Sequence, residues 1–173
     1  QIARSLGCAP STVTRLSARL GRHALLLTAS ALLELGEASE HLVVDHFESF
    51  VRTQDYPVGI ATVVGARSWF VYGLDPAPHA RTGSRSAVQE ARRKARPPQP
   101  SRGGYTGSMS RVLDAMLHFF RESRSIRLVT DGHEGYARAV ARPRFRGRVR
   151  HVVFPNPKRG RKGAPRSAAA RRR

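Results

Sequence analysis

The sequence predicts an α/β fold built on a mixed sheet, and three observations predict it. Short β-branched runs occur at HLVVDHF, VGIATVVG and IRLVTD. Apolar positions in SMSRVLDAMLHFFRE return every three or four residues, the spacing of one helical face. The links among the first three extended runs are short, so those runs form an antiparallel meander. Taken in chain order the elements read β-β-β-α-β-α-β.

Each element has its own signal. Leu42, Val43 and Val44 open a first strand over 41–47. Tyr56 and Pro57 lead into a second at 58–65, and SWFVYGL (68–74) forms a third, with Trp69 expected in its core. Val112, Leu113, Met116, Leu117 and Phe120 share one face of a helix over 108–122, with Ser108 or Ser110 as its N-cap. IRLVTD (126–131) is a short strand of the buried type, ending in Asp131. Residues 132–141 start a helix that Tyr136 packs onto the sheet, and RVRHVVFP (148–155) is a last strand closed by Pro155.

This order is the ribonuclease H-like plan. Crossovers between parallel strands are right-handed in nearly all cases, which sets the first strand beside the fourth in the middle of the sheet. Asp45 and Asp131, 86 positions apart, then become neighbours. Two adjacent carboxylates repel unless a cation lies between them. Mg²⁺ suits such a pair, because it takes oxygen ligands and keeps waters for a substrate phosphate. Two such ions about 4 Å apart serve both oxygens of a phosphoryl displacement. In the plainer alternative, Asp45 is a salt-bridged strand-end residue and Asp131 caps the helix at 132–141. Glu48 falls on the opposite face from Asp45 and is expected to contact a basic residue.

The charge balance points to a polyanionic partner. Lys and Arg number 31 against 12 Asp and Glu, a net charge of +19. The N-terminal QIARSLGCAPSTVTRLSARLGRH reads as the last two helices of a helix-turn-helix (1–23). Ala3 permits close approach, Gly7 takes the turn, Val13 fills the interface and Ser11 is the N-cap. Ser11, Thr12, Thr14, Arg15, Arg19 and Arg22 are its expected DNA-contacting side chains. Residues 24–40 read as an apolar connector helix, or alternatively as a dimerisation helix. The Pro-, Gly- and Arg-rich insertion at 75–107 holds a short basic helix whose Arg92, Arg93, Lys94 and Arg96 are placed to grip phosphates. The tail at 156–173, with Lys158, Arg159, Arg161 and Lys162, adds salt-sensitive affinity and is expected to be disordered when free.

Several classes are excluded or left without support. Cys8 is the single cysteine, so neither an internal disulfide nor a cysteine-based zinc site is available. The longest apolar segment, ALLLTASALLELG, is too short to span a bilayer and carries Glu34. There is no phosphate-binding GxxxxGK[ST] and no GxSxG. A cytoplasmic, nucleoid-associated prokaryotic setting is the expectation.

These residues resemble the DDE-type insertion-sequence transposases. The resemblance rests on IARSLGCAPSTVTRL, VVDHFESF, LVTDGHEGYARAV and the basic NPKRGRKG tail, and it covers most of the chain. It implies Mg²⁺-dependent DNA cleavage and strand transfer with two ions held by three acids, DNA as element ends and target, and a homodimer on DNA. Asp45 carries over as the first acid and Asp131 as the second. The third is missing, since no Asp or Glu follows Glu134. Either the chain stops before the helix that carries it, or the gene is a decayed copy. The start at Gln1, in mid-motif, also suggests a fragment. Glu134 is a poorly placed substitute. The alternative to the transposase is a non-catalytic helix-turn-helix DNA-binding protein.

Overall fold

Alternation along LVVDHF sends Leu42, Val44 and His46 to one side of the sheet and Val43, Asp45 and Phe47 to the other. That division organises the computed structural model of the protein, which describes residues 1–35, 37, 40–51, 55–80, 84, 86–95, 97 and 102–154. Arg96 and the tail residues Lys158, Arg159, Arg161 and Lys162 lie outside the described residues.

Five strands form one mixed sheet in the order β3-β2-β1-β4-β5. They are β1 (Leu42–Phe50), β2 (Pro57–Gly65), β3 (Val71–Pro78), β4 (Ile126–Thr130) and β5 (Val149–Val153). The first three are antiparallel, while β1 pairs parallel with β4 and β4 parallel with β5. The helices are α1 (Ile2–Ser5), α2 (Pro10–Leu33), α3 (Ala87–Lys94), α4 (Gly104–Phe119) and α5 (Glu134–Val140), followed by a 3₁₀ turn at Pro143–Phe145.

The buried core lies between one sheet face and the helices α4 and α5. Leu42, Val44, Val63 and Leu128 from the strands meet Met109, Leu113 and Met116 of α4 and its C-cap Phe120, with Tyr136 of α5 and Phe145 beside them. Each large apolar side chain removed from water there contributes about 1.5–3 kcal/mol. Arg111 of α4 ties this layer to β3 through a two-pronged ion pair with Asp75, with Nη2 to Oδ1 at 2.7 Å and Nε to Oδ2 at 3.0 Å.

Several boundaries differ from expectation for physical reasons. β3 begins at Val71, and Trp69 is 80% exposed in the hairpin tip with φ +59°, not in the core of the strand. The Glu40 carboxylate shapes that tip by accepting from Arg67 N, Ser68 N, Ser68 Oγ and the Tyr72 hydroxyl. These donors hold its pKa at about 2, with Ser68 the largest cause. Helix α4 starts earlier than its apolar repeat, behind Gly103 in the left-handed region. Ser108 and Ser110 are therefore buried inside α4 and bond back to the Tyr105 and Thr106 carbonyls instead of capping it.

At the N-terminus, Ala9 precedes the helix and Pro10 takes its first position, so Ser11 sits in the first turn and is not the cap. Helix α2 then runs unbroken to Leu33, because nothing in ARLGRHALLLTASALL interrupts it. A boundary at residue 23 falls in mid-helix. Leu32 is the one buried residue of α2, and its last turn is where the rod meets the sheet domain.

Candidate active site

Asp45 stands on β1, and Asp131 directly follows the neighbouring strand β4. β1 and β4 pair with Leu42 opposite Leu128 and Val43 opposite Val129, the same offset that separates Asp45 from Asp131. The pairing ends at Val43 and Val129, two residues short of the acids, and Asp131 follows the last residue of β4 where the chain turns toward α5.

Local backbone geometry fixes each acid. Asp45 Oδ1 accepts from the His46 amide at 2.7 Å. Asp131 Oδ1 accepts from the His133 amide at 3.0 Å, across Gly132. Gly132 has φ +92°, and a Cβ there would stand 2.8 Å from Val153 Cγ1, so only glycine makes this turn without strain. The N-cap of α5 is His133, whose Nδ1 accepts from the Gly135 amide at 3.0 Å. Asp131 therefore does not cap that helix; it precedes it. With Nδ1 accepting, the proton of a neutral His133 is on Nε2.

Behind the acids runs a buried polar chain. His46 is 7% exposed and Tyr136 1%. The Ser108 hydroxyl donates to the Tyr105 carbonyl at 3.2 Å, so it accepts from His46 Nε2 at 2.7 Å. That leaves Nδ1 as acceptor for the Tyr136 hydroxyl at 2.8 Å. The same hydroxyl lies 3.4 Å from Asp45 Oδ1. The Tyr105 ring stacks on His46 at 4.0 Å with planes 6° apart, and Gly59 leaves room for it, since a Cβ there would meet Tyr105 Cε1 at 2.6 Å.

Burial lowers the His46 pKa from 6.5 to about 4, against the opposing pull of Asp45, so the ring is neutral at pH 7. Burial first, then Asp45 and Asp131, push the Tyr136 hydroxyl well above its usual range. Both carboxylates thus act on the same two side chains.

A cleft of about 480 Å³ opens beside this cluster, lined by Glu48, His79, Tyr105, Thr106, His133 and Arg138 among others. Glu48 points into it and pairs with His79 at 3.4 Å. Glu134 is exposed and pairs with Arg138 one turn further along α5. Among the described residues no group of three His, Cys, Asp or Glu side chains could hold a metal ion.

The other sequence-predicted residues are spread over separate elements. Arg15, Arg19 and Arg22 lie exposed along one ridge of α2. Thr14 turns back to donate to the Pro10 carbonyl at 3.2 Å, Thr12 is half-buried and Ser11 is exposed. On α3, Arg93 is held by Glu90 through Nε at 3.0 Å and Nη2 at 2.6 Å, while Arg92 and Lys94 are exposed.

His46, Tyr105 and Ser108 were not read as site residues from the sequence. One signal was present for His46: it continues the inward alternation of Leu42 and Val44, and a polar ring in that position needs buried partners.

No family model, curated protein or solved structure matches the chain. Among the described residues no helix is long and apolar enough to cross a membrane.

Proposed function

We propose that this chain is a DDE-type transposase, with a ribonuclease H-like sheet carrying two of the acids and a helix-turn-helix at its N-terminus. Its substrate is DNA, as element ends and target. The observation that carries the reading is the parallel β1–β4 pairing, whose offset equals the separation of Asp45 and Asp131. The strand order and the mix of antiparallel and parallel pairs support the same fold.

The donor set suits Mg²⁺, which proteins commonly hold through one or two carboxylates plus substrate phosphate. Asp45 and Asp131 would hold it, and bound there it supplies charge stabilisation at the phosphate and a more acidic attacking water or hydroxyl. The chain's own residues have distinct tasks. The His46 and His133 amides orient the two carboxylates. The Tyr136 hydroxyl, anchored on His46, backs Asp45. The Arg15, Arg19 and Arg22 ridge supplies phosphate contacts on DNA.

A second reading is favoured by the lack of a third acid among the described residues: a DNA-binding protein without strand-transfer activity. Nicking of supercoiled plasmid with and without Mg²⁺, in the parent chain and in Asp45→Ala and Asp131→Ala, separates the two. Mg²⁺-dependent nicking lost in both variants supports the transposase. Nicking unchanged by both overturns it, and DNA binding without nicking belongs to the second reading.

A further inference from the structure

The proposed cation site uses the backbone amide of His133 and leaves its ring unassigned. That ring is fixed on three sides. Its Nδ1 accepts from the Gly135 amide at 3.0 Å. The Tyr105 ring tilts against it with centroids 4.9 Å apart, and the Tyr136 ring meets it edge-on at 5.6 Å. Gly135 makes the room, since a Cβ there would stand 3.1 Å from both His133 Nδ1 and Tyr105 Cβ. With Nδ1 committed to the helix, the neutral ring carries its proton on Nε2, the nitrogen left for a ligand. His133 is exposed and lines the cleft of about 480 Å³. A donor held in place before binding loses little freedom when a ligand arrives.

We infer that this cleft is a phosphate subsite, in which His133 Nε2–H and the Arg138 guanidinium hold one phosphodiester of a DNA strand beside the acids. Arg138 lines the same cleft. Its pair with Glu134 joins side chains 67% and 81% exposed, an ion pair of the weak surface kind, so the guanidinium turns to a phosphate at small cost. Thr106 adds a hydroxyl from α4. Glu48 is the acid among the lining residues, and it already has a partner in His79 at 3.4 Å, on the side formed by β1 and the end of β3.

Position selects a phosphodiester over other anions. The His133 amide donates to Asp131 Oδ1 at 3.0 Å, so a single residue touches an acid and lines the cleft. A strand whose reacting phosphate lies at the acids carries further phosphates on either side, and this cleft is the adjoining concavity. A phosphate oxygen accepts from both groups in charge-assisted bonds, whereas an apolar ligand would leave both donors unpaired. The assignment to a DNA strand rests on the transposase reading; the anion site itself rests on the cleft and its side chains.

The test is nuclear magnetic resonance of the full, nucleic-acid-free and metal-free chain, titrated with thymidylyl-(3′→5′)-thymidine, a probe with a single phosphodiester. Salt at about 0.15 M screens the long-range pull of the net charge of +19. The expected result is saturable binding that shifts the His133 ring resonances, identified by their loss in His133→Asn. That variant keeps the helix cap, because Asn accepts at an N-cap too, and it keeps the backbone amide to Asp131. Circular dichroism and the thermal midpoint therefore stay near the parent values. His133→Asn and Arg138→Gln each raise the Kd at least about tenfold, the size of one charge-assisted hydrogen bond. Arg124→Gln, which removes the same charge at the end of β4 away from Asp131, leaves it unchanged. The uncharged methylphosphonate analogue of the probe does not bind. No binding by the parent chain, a Kd unchanged in His133→Asn, equal effects of Arg138→Gln and Arg124→Gln, or equal affinity for the analogue each overturns the inference. None of these readouts needs Mg²⁺ or strand cleavage, so the subsite and the transposase reading fail separately. Plasmid nicking unaffected by the acid substitutions leaves the subsite standing, whereas Mg²⁺-dependent nicking with no dinucleotide binding removes the subsite alone.

Discussion

His46 Nδ1 and the Tyr136 hydroxyl meet at 2.8 Å inside the core, although 90 positions separate them in the chain. The contact joins the first strand to the helix after the fourth, behind the two acids. It makes the region behind Asp45 a buried polar network, with consequences that can be measured.

Stability should depend on pH through His46. Its folded pKa of about 4 lies below the usual 6.5, so between these values the unfolded chain binds a proton that the folded chain does not. The contribution is complete above about pH 6.5 and is lost as pH falls toward 4, amounting to at most about 3 kcal/mol. Urea midpoints at pH 7.5, 5.5 and 4.5 should fall in that order, and His46→Gln should flatten the slope. Parallel slopes in the two proteins would contradict the assignment.

Tyr136→Phe removes the hydroxyl of a buried side chain and takes away the donor to His46 Nδ1. The expected loss is about 1–3 kcal/mol, the cost of one unsatisfied buried group. Tyr136→Leu should cost more, because it also forfeits the packing of the most voluminous fully buried side chain. Equal losses in the two variants would mean that the hydroxyl contributes little.

Gly132→Ala tests the turn that aims Asp131. Its positive φ and the approach to Val153 Cγ1 predict a loss of about 2 kcal/mol, most of it backbone strain. Chemical denaturation of the variant measures this directly. A loss below about 0.5 kcal/mol would show that the turn relaxes freely.

The hairpin tip makes the opposite prediction. Trp69 has φ +59° and is 80% exposed, so its ring gains little from burial while its backbone is strained. Trp69→Gly is expected to raise stability by about 1 kcal/mol. A destabilised variant would indicate that the indole makes a contact worth more than the strain.

The strand and helix sequence of the sheet domain was legible because its signals are local. Leu42 and Val44 alternate with outward residues, and the apolar repeat from Val112 to Phe120 fixes α4. The crossover rule placed β1 beside β4, and the two strands are parallel neighbours in the sheet. What was not legible depends on contacts between distant segments. Glu40 organises a turn 27 positions away, and nothing near Trp69 announces that the third strand waits until Val71. Ser108 reads as a cap only if Gly103 and Gly104 are assumed to be loop. Tyr136 carries a helix-packing signal, but its partner His46 lies on another element. The continuation of helix past residue 23 was legible too, although α2 ends at Leu33, short of the expected residue 40.

The account rests on Asp45 and Asp131 acting as one cation site. Mn²⁺ binding followed by electron paramagnetic resonance, in the parent chain and in Asp45→Asn and Asp131→Asn, tests it most directly. The account predicts saturable binding by the parent chain, weakened at least about tenfold by either substitution, since each removes one of two charged oxygen ligands. Binding that neither substitution changes, or no binding by the parent chain, would contradict it.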